Sequence, residues 1–224
     1  STQQHFTYGE RTNTRIYCGI IADNTYLYLG TDNGILVYNY RTDKYEQPDT
    51  DFPTDVRTMA LQGDTLWIGS LNGLYIYQLK SRQLNHFDSK QTGLPHNTIY
   101  SIIHTKDNQI YIGTYNGLCR YVQASGKFEN ILLPVNRGGS NLFVNSLLED
   151  TARQCIWIGM EGYLFQYNPT TGEMKAIEVF HNNSIKSLAL DGDENLLAGT
   201  DNGLYVYQND KEPLQHIIHD SRNI

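Results

Sequence analysis

Hydrophobic residues in this 224-residue chain fall in short runs rich in β-branched and aromatic side chains, each separated from the next by turn-forming residues. Ile99 to His104 is one such run, and Lys106-Asp107-Asn108 separates it from Gln109 to Gly113. Thr114-Tyr115-Asn116-Gly117 then leads to Leu118 to Val122, and Ala124-Ser125-Gly126 turns into Lys127 to Leu132. This spacing predicts four short strands joined as an antiparallel meander. No window sustains a 3.6-residue period, which excludes a solenoid of helical repeats.

The same pattern recurs. An aromatic or aliphatic pair runs into glycine at Tyr28-Leu29-Gly30, Trp67-Ile68-Gly69, Tyr111-Ile112-Gly113, Trp157-Ile158-Gly159 and Leu197-Ala198-Gly199. A tyrosine follows each glycine, at Tyr38, Tyr77, Tyr121, Tyr167 and Tyr207. The repeat averages about 42 residues, a period that points to propeller blades. One meander cannot bury both of its faces, so copies must stack face to face. The expected fold is all-β: a β-propeller of four-stranded antiparallel blades, five of them, at about residues 11–50, 51–93, 94–138, 139–181 and 182–219 of one domain spanning 1–224.

Glycine closes the second-to-third-strand link at Gly34, Gly73, Gly117 and Gly203, each after an asparagine, a strong signal for positive φ. The fourth copy moves the glycine forward, to Gly162, and puts Tyr163 in its usual place. A bulky residue at positive φ is costly, so this turn is expected to differ in shape. At the ends, His5-Phe6 resembles the junction at His86-Phe87, and Asp220 to Ile224 resembles the start of a sixth copy. The expectation is a fragment of a larger propeller, because an uncapped sheet edge needs closure, a partner or more chain.

Charge and composition narrow the function. The chain has 17 basic and 24 acidic residues, a net charge of -7, and no basic cluster suited to nucleic acid. No apolar run is long enough to cross a bilayer as a helix, so no membrane contact is expected of this segment. Seventeen tyrosines suit both sheet packing and the walls of a site for polar ligands. Cys18, Cys119 and Cys155 lack metal-ligand spacing and are expected to be free thiols in the sheets.

The run Trp67-Ile68-Gly69-Ser70-Leu71-Asn72-Gly73-Leu74-Tyr75-Ile76-Tyr77 resembles the two-component regulator propeller repeat. Gly93-Leu94-Pro95-His96-Asn97-Thr98-Ile99-Tyr100-Ser101-Ile102 is similar to the segment that opens each copy in that family. Leu197-Ala198-Gly199, without its aromatic, and Gly162-Tyr163 depart from the pattern. The resemblance covers almost the whole chain. It implies the periplasmic sensor of a hybrid histidine kinase receptor, in which two seven-bladed propellers precede a β-sandwich, a transmembrane helix and the kinase and regulator modules. The remaining blades and domains of that receptor, and a second copy in a homodimer, are the implied partners. An oligosaccharide or another small polar molecule is the implied ligand, with no cofactor.

Candidate ligand residues come from a column that varies within a constant frame. The first strands align as Ile16-Tyr17-Cys18, Val56-Arg57-Thr58, Ile99-Tyr100-Ser101, Val144-Asn145-Ser146 and Ile185-Lys186-Ser187. Flanking positions stay aliphatic and small, as packing requires, while Tyr17, Arg57, Tyr100, Asn145 and Lys186 change chemistry. Such residues either bind a ligand or pack between blades. The strand-four-to-one connections add His96, Arg137, Asn141, Phe143, His181, Asn182 and Asn183, and the displaced link adds Tyr163. Aromatic faces with Asn and Arg donors suit a sugar.

Catalytic signals are weak. The seven histidines form no metal-binding motif, and no nucleophile elbow or phosphate loop is present. Asp191-Gly192-Asp193-Glu194-Asn195 lacks the features of a calcium loop and is expected to be a turn between the first two strands of its blade. The expected role is therefore non-catalytic sensing. Two alternatives stand beside it: a propeller lyase or hydrolase using His96, Arg57 and His181, and a purely structural or dimerising module.

Overall fold

The computed structural model describes residues 14–46, 48, 50–135, 142–177, 180, 183–208 and 215–218. Five meanders follow one another in the order the periodicity predicts. The first contains β1 (Ile16–Ala22), β2 (Tyr26–Thr31), β3 (Gly34–Asn39) and β4 (Lys44–Glu46), and the second β5 (Val56–Gln62), β6 (Thr65–Ser70), β7 (Gly73–Gln78) and β8 (Leu84–Phe87). A one-turn helix, α1 (Ser89–Thr92), precedes the third, which has β9 (Ile99–His104), β10 (Ile110–Thr114), β11 (Gly117–Val122) and β12 (Lys127–Ile131). The fourth comprises β13 (Val144–Asp150), β14 (Cys155–Met160), β15 (Tyr163–Tyr167) and β16 (Met174–Ala176). The fifth comprises β17 (Ile185–Leu190), β18 (Leu196–Thr200), β19 (Gly203–Tyr207) and β20 (Gln215–Ile217). This is an all-β propeller of five four-stranded antiparallel blades.

The repeated aromatic–aliphatic pair works through strand alternation. Successive side chains of a strand point to opposite faces. Trp67 therefore packs with blade three and Ile68 with blade one. Tyr111 and Trp157 likewise face the following blade, and Ile112 and Ile158 the preceding one. The glycine two residues after each aromatic shares its face and lets the next blade approach closely. A Cβ on Gly69 would lie 2.6 Å from Ile99 Cγ2, and one on Gly159 2.5 Å from Ile185 Cγ2.

Neighbouring innermost strands touch in the series β1, β5, β9, β13, β17, and no comparable contact joins β17 to β1 among the described residues. Val56, Ile99, Val144 and Ile185 are all 0% exposed, whereas Ile16, their counterpart in β1, is 58% exposed. Ile16 lacks a preceding glycine to pack against among the described residues. The terminal segments 1–13 and 219–224, with the repeat-like ends expected there, lie outside the described residues.

A hydroxyl that the periodicity did not single out holds four of the links. Thr31 Oγ1 accepts from Asn33 N at 3.0 Å and donates to Gly34 O at 2.9 Å. Ser70, Thr114 and Thr200 repeat the arrangement. Each glycine has φ between 109° and 134° and pairs at the start of its strand, so the loop itself is two residues long. In blade four Met160 replaces the hydroxyl residue, Gly162 takes a left-handed φ of 80°, and Tyr163 enters the ladder opposite Met160. The altered turn predicted there is present, with glycine carrying the positive φ that tyrosine would resist.

The three cysteines are free thiols in strands β1, β11 and β14, as expected. Asp191 closes its hairpin turn by accepting from Asp193 N, Asn195 N and Asn195 Nδ2, at 2.8–2.9 Å. Those bonds use the carboxylate as a turn cap.

Candidate functional site

All five residues of the variable column occupy the same backbone feature. Strand pairing skips from Ile16 to Cys18, Val56 to Thr58, Ile99 to Ser101, Val144 to Ser146 and Ile185 to Ser187. Tyr17, Arg57, Tyr100, Asn145 and Lys186 are thus the extra residues of five equivalent β-bulges. A bulge bends its strand and re-aims a side chain, and it is common beside functional sites. The bulges explain how chemistry varies at these positions while their neighbours keep the packing register. Each lies at the start of its innermost strand, the end that also carries the strand-four-to-one connections and the two-to-three links.

Four blades contribute side chains to a strip on this face. The Arg57 guanidinium carbon lies 3.9 Å from the Tyr17 ring centroid, a cation–π contact. Arg57 Nη2 donates to Asp55 Oδ1 at 3.2 Å. Burial raises the Tyr100 phenol pKa, with Tyr115 adding to the rise and the Arg57 charge opposing it. Tyr100 and Phe143 have centroids 6.3 Å apart, Phe143 and Tyr115 meet edge to face at 4.1 Å, and Tyr115 and His96 lie at 4.9 Å. Tyr17 and Arg57 are thus joined by contact, as are Tyr100, Phe143, Tyr115 and His96, and the Arg57 charge reaches Tyr100 between the two sets.

Local sequence explains how this strip is held. Asp88 caps α1 by accepting from Lys90 N and Gln91 N, and Gly93 ends the helix at φ 81°. Leu94 then sinks into the core between blades two and three. The next turn presents His96, whose Nδ1 accepts from Thr98 N at 3.0 Å. Thr98 Oγ1 in turn donates to Leu71 O at 3.2 Å, tying this connection to the neighbouring link.

The other candidates are placed differently. Asn145 Nδ2 donates to Ile185 O at 3.0 Å, joining blades four and five. Lys186 is exposed, and its Nζ donates to Ser184 Oγ at 2.8 Å. Tyr163 stacks on Phe165 at 5.7 Å and packs against the core of blades three and four. Arg137, Asn141, His181 and Asn182 lie outside the described residues. A separate polar cleft of about 380 Å³ sits on the same face in blade one, lined by Thr31, Asn33, Thr50, Asp51 and Phe52 among others.

Tyr115 of the strip and Asp55, which tethers Arg57, were not singled out from the sequence. Tyr115 is the one aromatic at a link position occupied by Asp32, Leu71 and Asp201 in three other copies, a signal that was available. Asp55 carried no such signal, because its importance lies in a backbone conformation and a contact.

The five blades form a propeller whose innermost strands each begin with a bulge carrying a variable side chain. Residues 93–116 match the model of the two component regulator propeller, so the resemblance read from the repeats holds. The whole chain aligns, with 78% identity and a TM-score of 0.95, to 30% of a crystallised chain from B. thetaiotaomicron. That chain is described as the extracellular domain of the hybrid two component system BT4673, and also as that of a one component system. Histidine kinase P4 of Formosa agariphila is 26% identical over 161 residues, which make up 64% of this chain and 11% of that protein. The RRP9 WD40 repeats, 16% identical with a TM-score of 0.68 over 93% of this chain and 65% of theirs, share the propeller fold alone. The chain thus spans less than a third of its two-component relatives. Among the described residues no helix is long and apolar enough to cross a membrane.

Proposed function

We propose that this chain is a run of blades in the periplasmic, extracytoplasmic sensor region of a hybrid two-component receptor, and that it binds an oligosaccharide without converting it. The observation that carries this reading is the 78% identity, over the full chain, with an extracellular domain assigned to such a system. In this reading the kinase and regulator chemistry, the membrane anchor and the remaining blades belong to other parts of a homodimeric receptor.

The strip from Tyr17 to His96 supports saccharide binding. Its aromatic faces match the C–H faces of a sugar ring, and the Arg57 donors match its hydroxyls. The test is a thermal melt of the full receptor ectodomain against a panel of oligosaccharides, with product analysis in parallel. At a hundredfold excess over Kd, binding stabilises the folded state by about 2.7 kcal/mol. A raised melting temperature with no new sugar species is expected. New reducing ends or unsaturated products would overturn the sensor reading in favour of an enzyme. A response unchanged in Tyr100→Ala and Tyr17→Ala would remove the strip from it.

A further inference from the structure

Arg57 is held unlike the other bulge residues. Its guanidinium lies against Tyr17 and is tethered by Asp55, and its side chain is 28% exposed. Its Nε is buried without a hydrogen-bond partner, the one side-chain atom of that kind among the described residues. A buried donor without an acceptor is costly, and such groups call for a specific explanation. Asp55 is also unusual. With φ at 54°, it is the one non-glycine residue of positive φ that lies outside a hairpin turn among the described residues. Its N–H donates to Asp32 O at 3.1 Å, which fixes it on the first link. Strained backbone persists where the surroundings over-determine it, and it clusters at ligand clamps.

The charge at the bulges runs against that of the chain. Net charge is -7, yet the five bulge positions carry Arg57 and Lys186 and no carboxylate. We propose that the strip takes an acidic saccharide, one bearing a carboxylate or a sulfate, with Arg57 grasping the oxyanion and Tyr17 and Tyr100 lying against the sugar ring. This rests on the saccharide-binding reading above and specifies its ligand. A guanidinium is permanently charged, and its planar fork of N–H donors matches an oxyanion bidentately. Stacking on Tyr17 and the bond to Asp55 remove much of the rotational freedom that binding would otherwise cost. An oxyanion taken by Arg57 would give the unpaired Nε–H the acceptor it lacks.

Isothermal titration calorimetry on the full chain tests this with trigalacturonate, galactotriose and galactose 6-sulfate. Trigalacturonate or the sulfated sugar is expected to bind at least tenfold more tightly than galactotriose, with the preference shrinking as salt rises. Whichever acidic sugar binds more tightly identifies the oxyanion. Arg57→Gln should abolish the preference, and Arg57→Lys should keep part of it; melting temperatures of both variants report that they fold. Equal or tighter binding of galactotriose overturns the acidic ligand and leaves saccharide binding standing. A preference that survives in Arg57→Gln removes Arg57 from the role. Failure of all three sugars, together with silence across the wider oligosaccharide panel, overturns both readings.

Discussion

Replacing Gly113 with alanine tests the packing principle of the array. A Cβ there would lie 2.5 Å from Val144 Cγ1 and 2.9 Å from Val144 O, where relaxed contacts between carbon atoms are about 3.5–4.0 Å. Val144 is fully buried at the start of the next blade's innermost strand, and its β-branched side chain has little rotamer freedom. The second clash is with backbone, which no rotamer change relieves. Blades three and four must then separate by on the order of 1 Å or distort, and overpacking of this kind costs about 1–3 kcal/mol. The backbone contact puts Gly113→Ala near the upper end of that range. Reduced freedom of the unfolded chain returns about 0.4–1 kcal/mol. The net expectation is a loss of about 2 kcal/mol, a fall in melting temperature of roughly 4–8 °C for a chain of this size. Gly113→Ala/Val144→Ala should be less destabilised than the two single variants combined, by about 1 kcal/mol, because the Cγ1 overlap disappears. Thermal melts and urea titrations measure both quantities. A Gly113→Ala protein melting within a degree of the unsubstituted one, or strictly additive effects in the double variant, would refute the close approach as the reason for glycine.

Gly199→Ala in the full protein should be as damaging as Gly113→Ala if a further blade packs on blade five; a melt like that of the unsubstituted protein would argue against continuation, since the neighbouring Ser187 hydroxyl can turn away. Burial pushes the Asp150 carboxyl pKa up, but hydrogen bonds from Trp157 Nε1 and from the Arg153 backbone and guanidinium outweigh it, leaving the group below the usual carboxylate value. Its stabilisation is therefore complete above about pH 4 and lost as acid titrates it below that, so urea midpoints should fall in acid less steeply for Asp150→Asn. His86 stacks on Tyr75 at 4.3 Å and its Nε2 donates to Asn72 O at 3.0 Å, so His86→Ala should lower stability by about 1 kcal/mol; no change would mean the stack contributes nothing. Burial pushes the Cys18 thiol up to about 11 and raises Cys119 and Cys155 as well, so iodoacetamide at pH 8 should label the native protein far more slowly than the unfolded one.

Much of the architecture was legible because strand periodicity, turn residues and the repeat all point the same way. The predicted third copy differs from β9 to β12 by at most one residue at any strand end. The glycine of Gly162-Tyr163 also announced its altered turn correctly. The variable column was legible as an alignment, but not the bulge that makes it variable, since a skipped pair leaves no mark in composition. Tyr17, Arg57, Tyr100 and His96 do come together with Phe143 and Tyr115. Asn145 joins two blades instead, and Tyr163 serves the core.

The sequence alone determined the blade count and the meander within each blade. These follow from local periods of two residues and of about 42, and local rules suffice for them. Tertiary structure alone decided what the same residue type does in different blades. Val56, Ile99, Val144 and Ile185 disappear against a glycine of the preceding blade, while Ile16 remains exposed. It also decided that Arg57 lies on Tyr17, a residue one full repeat away, and that Asp55, at positive φ, bonds to it. Contacts between blades join residues a whole repeat apart, and their geometry depends on how the sheets twist and stack, which no local pattern encodes.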